Sequence, residues 1–130
     1  MHRMKSQIKP FTPAAEYFFH EGCHIIELDN CVDNPALSIA RARVEPGKTT
    51  RWHKLTNTVE RYVIIEGSGI VEVGNEITQQ VTAGDVVIIP ADCAQRIHNN
   101  GTDDLIFLAL CTPRFVPENY VDIDSQHNDA

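Results

Sequence analysis

The sequence predicts an all-β protein, a sandwich or barrel, and three observations carry that expectation. Apolar residues recur with a period of two almost throughout, not the helical 3.6. The apolar runs are rich in β-branched residues, and breaks of turn chemistry separate them at short-strand spacing. No stretch carries a convincing amphipathic helix; residues 13–19 and 117–121 have room for one turn at most.

The expected strands follow in order: CHIIEL (23–28), ALSIARARV (36–44), ERYVIIE (60–66), GIVEV (69–73), EITQQV (76–81), DVVIIP (85–90) and DLIFLALC (104–111). DNP at 33–35, EPG at 45–47, GSG at 67–69, GN at 74–75, AGD at 83–85 and NNGTDD at 99–104 break them. Six of the seven glycines lie from residue 47 onward, at or beside such a break. The last stretch, CTPRFVPENYVDIDSQHNDA, has two prolines and no strand pattern, and reads as a surface coil. Its Phe115 and Tyr120 are expected to pack against the core, while SQHNDA is expected to fray.

A chain of 130 residues has room for one core and no second. Hydrophobic residues at 42% and charged residues at 22% suit a globular domain and argue against disorder. The formal net charge of −7 argues against nucleic-acid and anionic-membrane partners, which need a basic patch. Arg41, Arg43, Lys48, Arg51, Lys54 and Arg61 nevertheless cluster in one stretch, which keeps a small anionic ligand in play. MHRMKSQIKPFTPAAEYFF lacks a signal-peptide apolar run, and no segment nears the roughly 18 apolar residues of a span. A cytoplasmic location is the expectation. Cys23, Cys31, Cys93 and Cys111 show no CxxC spacing and are expected as free thiols, Cys111 as a packed strand residue.

Two sets of intervals carry the chemistry. From Gly47 there are five residues to His53, one to Leu55, four to Glu60 and six to Gly67. From Gly84 there are five to Pro90, one to Asp92, two to Gln95 and three to Asn99. The pair resembles the two motifs of the cupin superfamily, over about residues 36–111. The resemblance implies a single-domain cupin double-stranded β-helix, a jelly-roll-like β-barrel. It divides the chain into an N-terminal arm with a first strand (1–35), a barrel core (36–112) and a C-terminal coil tail (113–130). It also implies a homodimer, formed by exchange of N-terminal strands, for which Ile8 to Leu28 is available.

In metal-binding cupins three imidazoles and one carboxylate meet an Fe, Mn, Ni, Zn or Cu ion. Carried over by position, the candidates here are His53, Glu60 and Gln95, with Leu55 where the second imidazole would stand and Asp92 at the motif's second glycine. Leu55 cannot ligate, and the Gln95 amide oxygen is a weaker donor than imidazole. His53 also reads as a barrel histidine hydrogen-bonded to Glu60 or Gln95. His98 has the opposite parity to Gln95 and is expected to be exposed; His2, His20, His24 and His127 have no metal spacing. Trp52 should point away from the cavity and pack.

Tyr62 and Ile64 share parity with Glu60 and should line the interior, Tyr62 with a hydroxyl that a ligand could touch. Arg41 and Arg43 share one strand face, opposite Ser38, Ala40 and Ala42. Facing inward they would clamp an anion; facing outward they would be solvated. The Pro46-Gly47 turn interrupts the parity count and leaves both open. The reading that follows is a cupin-type protein binding a small polar or anionic molecule, metal-poor or metal-free, with Leu55, Arg41 and Arg43 in its pocket. The alternative is a metal-dependent enzyme of sugar-phosphate isomerase, epimerase or oxygenase type using His53, Glu60 and Tyr62. The short outline and CTPRF tail resemble small cupins grouped with sugar-phosphate isomerases. A metal-free isomerase with His53 and Glu60 as acid and base lies between the two.

Overall fold

The computed structural model describes residues 4–125. Its strands are β1 (Tyr17–Phe19), β2 (Cys23–Asp29), β3 (Ser38–Val44), β4 (His53–Leu55), β5 (Val59–Glu66), β6 (Ser68–Val73), β7 (Ile77–Thr82), β8 (Val86–Ile89), β9 (Gln95–His98), β10 (Leu105–Thr112) and β11 (Tyr120–Asp122). Two 3-10 turns, Pro13–Ala15 and Pro117–Asn119, are the helical elements among the described residues. One antiparallel sheet runs β1-β2-β3-β10-β5-β8 and the other β11-β4-β9-β6-β7. No helix among the described residues is long and apolar enough to cross a membrane.

All seven expected strands are present within two residues of their expected ends. The difference lies in β1, β4, β9 and β11, each three or four residues long. Segments so short carry too little alternation to register as strands, and cross-strand partners fix them instead. β11 also corrects the reading of the tail as coil: Tyr120, Val121 and Asp122 pair with Leu55, Lys54 and His53 of β4. Most of the frayed expectation, residues 126–130, and both His2 and His127 lie outside the described residues.

Alternation sorts the side chains. Along β5, Glu60, Tyr62 and Ile64 are buried, while Arg61 and Ile65 between and beyond them are exposed. The interior core joins Val44, Ile64, Leu105 and Phe107 of the first sheet to Val71, Val73, Val81 and Ile97 of the second. Each fully buried apolar side chain of this size is worth about 1.5–3 kcal/mol relative to exposure.

The motif residues without ligand chemistry hold the barrel's corners. Asn99 is fully buried, and its Nδ2 donates to the carbonyls of Val44 (2.9 Å) and Asp103 (2.8 Å). Gly67 has φ +81°, and a Cβ there would lie 2.6 Å from the Asp104 carbonyl oxygen, so only glycine fits. Asp92 takes over the backbone conformation of the missing glycine, with φ +62°. Asp tolerates this left-handed region better than most residues, and here its N–H donates to the Leu55 carbonyl at 3.0 Å. The turn before Gln95 therefore survives the substitution.

The N-terminal arm lies on the outer face of its own sheet. Lys9 Nζ meets Asp29 Oδ1 at 2.7 Å, the Arg41 guanidinium sits 5.6 Å from the Phe11 ring centre, and Glu16 pairs with Arg43 at 2.7 Å. Trp52 is buried within the chain under the Arg96 guanidinium, 4.6 Å from its ring centre.

Candidate functional site: a cavity at one end of the barrel

The cavity originates in small side chains. Antiparallel register places Ala42 beside Phe107, Ala40 beside Ala109, and Ser38 beside Cys111. On either side, Glu27 of β2 pairs with Ala40, and Tyr62 of β5 pairs with Ala109. One transverse row thus reads Glu27, Ala40, Ala109, Tyr62: two polar side chains facing each other across two alanines. The trough between them is a cavity of about 60 Å³. One water needs ~10–15 Å³ on that measure, so the space takes several waters or a small organic molecule. Phe19 and Phe115 form part of its rim, and Glu21, Glu60 and Cys111 complete its polar wall. The tail is anchored there, because the Phe115 N–H donates to Ser38 Oγ at 2.9 Å.

The residues singled out by spacing divide into two groups. His53, Glu60, Tyr62 and Gln95 are buried and come together. The Tyr62 hydroxyl donates to Gln95 Oε1 at 2.5 Å, and Gln95 Nε2 donates to Glu60 Oε1 at 3.0 Å. The Cys111 thiol makes a long contact with Glu60 Oε2, 3.8 Å. His53 lies on the neighbouring strand, directly paired with Gln95. Its Nδ1 is 2.7 Å from the Arg51 carbonyl oxygen, which requires a proton on Nδ1 and turns Nε2 toward Glu21 Oε1, 3.3 Å away. The His53 ring also stacks on Tyr120, with 5.2 Å between centres. Of these residues Glu60 and Tyr62 line the cavity, whereas His53 and Gln95 do not.

Arg41 and Arg43 require a correction. Register puts them with Ile26 and His24, on the face opposite Ala40 and Ala42, and they pair with Glu16 outside the barrel. They form no anion clamp in the cavity. Leu55 is buried yet does not line the cavity either. His98 is half-buried and bonded to Thr49 Oγ1 at 2.6 Å, not exposed. Glu21, Glu27 and Tyr120 are residues that sequence reasoning missed. Glu21 sits in a turn and Tyr120 in the tail, outside the motif intervals. Glu27 shares parity with Ile25, a signal that was legible in CHIIEL.

The electrostatics follow from burial. Loss of solvent pushes the Glu60 carboxyl up to about 7, raised further by Glu21 and opposed by His53 and by the hydrogen bond from Gln95. Burial also raises Glu27, opposed by Asn30 and Arg114. The Tyr62 hydroxyl is pushed well above its ordinary value, first by burial and then by Glu60, so it remains a donor. Burial likewise raises the Cys23 and Cys111 thiols out of the reactive range; all four cysteines are free.

The donor set does not fit the transition-metal site that the motif positions suggest. Leu55 has no donor, and the Gln95 oxygen already accepts from Tyr62. Among the described residues no three His, Cys, Asp or Glu side chains are grouped so as to hold a metal ion. One imidazole with a carboxylate that favours its proton is a poor match for metals that want nitrogen or sulfur ligands.

Two antiparallel sheets sharing one interior core define a double-stranded β-helix protein. The chain belongs to the cupin family: residues 40–111 match the model of the cupin domain. It is similar to an uncharacterized protein of Methanocaldococcus jannaschii, 32% identical over 105 residues, 79% of this chain and 83% of that one. It is also similar to a predicted oxalate decarboxylase of Thermotoga maritima, 29% identical with TM-score 0.64, over 70% of this chain and 80% of that one. Streptomyces Pac13, a nucleoside dehydratase solved with uridine, shares the fold at 15% identity and TM-score 0.73, over 94% and 93% of the two chains.

Proposed function

We propose that this cupin binds a small polar molecule in its barrel cavity without a resident transition metal. One observation carries the reading: two of the motif positions that would ligate a metal, Gln95 and Glu60, are joined with Tyr62 in a directed hydrogen-bond chain, Tyr62 to Gln95 to Glu60. The chain satisfies buried polar groups, and breaking it to bind a metal would leave the Tyr62 hydroxyl unpaired. The anionic half of the sequence expectation loses its support once Arg41 and Arg43 lie outside. A thermal-shift panel of small metabolites tests the reading, with Ala109→Leu as the control that fills the trough. Stabilisation of the wild type, abolished in Ala109→Leu, supports it; stabilisation that persists with the trough filled rejects it.

A second reading is favoured by the position of Glu60. A buried carboxyl with a pKa of about 7 on a cavity wall is poised to give or take a proton at neutral pH. Metal-free proton transfer on a carbonyl or hydroxyl substrate would use Glu60 directly, with Tyr62 and Gln95 orienting its carboxyl through their hydrogen-bond chain. Glu60→Gln would then abolish turnover while preserving ligand binding. The sugar-phosphate variant of this reading lacks a basic group on the wall to meet the phosphate.

Pairing with a second copy of the chain is proposed on other grounds. β8 is the last strand of its sheet, and its outward Val86 and Ile88 are 55% and 57% exposed. Exposed apolar edge strands invite pairing. Sedimentation showing a monomer at micromolar concentration would refute it.

A further inference from the structure

We propose that Phe19 is the gate of the cavity: its ring, closed against Phe115, controls entry, and passage inward proceeds by rotation of that side chain. The inference rests on the reading of the cavity as a binding site and adds how a small molecule reaches it. It follows from how the cavity wall is closed. Most of the wall is continuous sheet, in which β2, β3, β10 and β5 are joined by backbone pairing. The exception is the seam between β1 and the tail. Phe19 and Phe115 both line the cavity and meet edge to face, with 6.4 Å between ring centres. Phe19 also meets Tyr120 edge to face at 5.2 Å. Among the described residues no backbone hydrogen bond joins 17–19 to 113–122, and β1 pairs with β2 alone and β11 with β4 alone. Side-chain rings close this part of the wall.

Alternation on β1 supplies the gate. Tyr17 and Phe19 share the inward face and line the cavity, while Phe18 points outward, 64% exposed, against His24. The backbone on both sides of Phe19 is pinned. Glu16 pairs with Arg43 at 2.7 Å, and the Glu21 carbonyl accepts from the Arg51 N–H at 2.8 Å. Across the seam, the Phe115 N–H donates to Ser38 Oγ and its carbonyl accepts from Asn30 Nδ2, both at 2.9 Å. With both backbones held, lifting the strand would break these bonds. A rotamer change of Phe19 breaks none of them and gives up only ring contacts. The ring is half-buried, which leaves solvent on its outer side to swing into.

Behind the seam stands a built-in reporter: Cys111 lines the cavity, is 3% exposed and is a free thiol. The test is the rate at which methylmercury chloride, a small uncharged thiol reagent, labels Cys111 in the full-length protein, followed by mass spectrometry of the Cys111 peptide. Phe19→Ala should raise that rate at least tenfold over the wild type. Val81→Ala, in the interior core and away from the cavity lining, is the control for general loosening and should stay near the wild-type rate. A rise of less than tenfold in Phe19→Ala overturns the gate, because the cavity would then be entered elsewhere. A matching acceleration in Val81→Ala also overturns it, since Cys111 would then be reached by unfolding. So does a wild-type Cys111 labelled as fast as the half-buried Cys31, which would mean a mouth that stands open. Labelling needs no ligand, so these outcomes leave the binding reading to the metabolite panel, and the two fail separately.

Discussion

The two ends of the barrel interior are built from the same strands and behave as opposites. On β5 the inward series runs Glu60, Tyr62, Ile64, and on β10 it runs Cys111, Ala109, Phe107, Leu105. One end is therefore carboxyl, thiol and hydroxyl over an alanine floor. The other is a dry cluster in which Ile64, Ile97 and Leu105 are nearly inaccessible. A change in side-chain size and polarity along each strand, with a register shift between Ile106 and Phe107 of β10, divides a packed end from an open one. The difference teaches that this barrel opens a cavity where packing has been given up, and that the residues at the vacated positions set its polarity.

Substitutions at the two ends break that comparison in graded ways. The largest effect belongs to the apolar end: Leu105→Ala should cost about 2–5 kcal/mol in urea unfolding, because it leaves a void the surrounding strands cannot close. A cost below about 1 kcal/mol would mean that the dry end is not what stabilises the fold.

At the polar end the sign depends on pH. The folded Glu60 pKa, about 7, lies above the ordinary 4.5, so the native state holds this proton more tightly than the unfolded chain. Its contribution is fully present below about pH 4.5 and lost as the pH rises through 7. Glu60→Gln, which cannot ionise, should gain stability relative to the wild type across that window, by on the order of 3 kcal/mol at pH 8. Parallel pH dependences for the two proteins would show that Glu60 keeps its charge when folded.

Tyr62→Phe should cost about 2 kcal/mol by chemical denaturation, since it leaves the buried Gln95 oxygen without its donor. The smallest effect is expected at Tyr120. Its hydroxyl is buried and has no hydrogen-bond partner among the described residues, so Tyr120→Phe should be neutral or stabilising by up to about 1 kcal/mol. A clear loss of melting temperature there would reveal a partner for that hydroxyl.

The sequence made much of this molecule legible, and unevenly. The long strands were readable because burial on one face forces alternation over six or more residues. Gly67 and Asn99 were readable because a close backbone approach and a buried pair of carbonyls each admit few side chains. The four short strands were not, because three or four residues outside any apolar run leave too little alternation to detect. Arg41 and Arg43 were ambiguous until the pairing of β3 with β2 and β10 settled which face looks inward. Leu55 and Gln95 announced a departure from the usual metal ligands, but not what replaced them. The hydrogen-bond chain depends on β5 and β9 meeting across the interior, and no interval along one chain encodes that meeting. Glu21 entered from a turn with no pattern of its own.

The central claim, that Gln95 and Glu60 serve a hydrogen-bond chain and not a metal, is most directly tested by elemental analysis. Untagged wild type should be measured beside the Leu55→His/Gln95→His variant, after both are purified with and without added divalent metals. The account predicts a negligible fraction of an equivalent in the wild type and a stoichiometric metal in the double variant, where three imidazoles and Glu60 would again converge. A stoichiometric metal in the wild type, lost on His53→Ala, would contradict it.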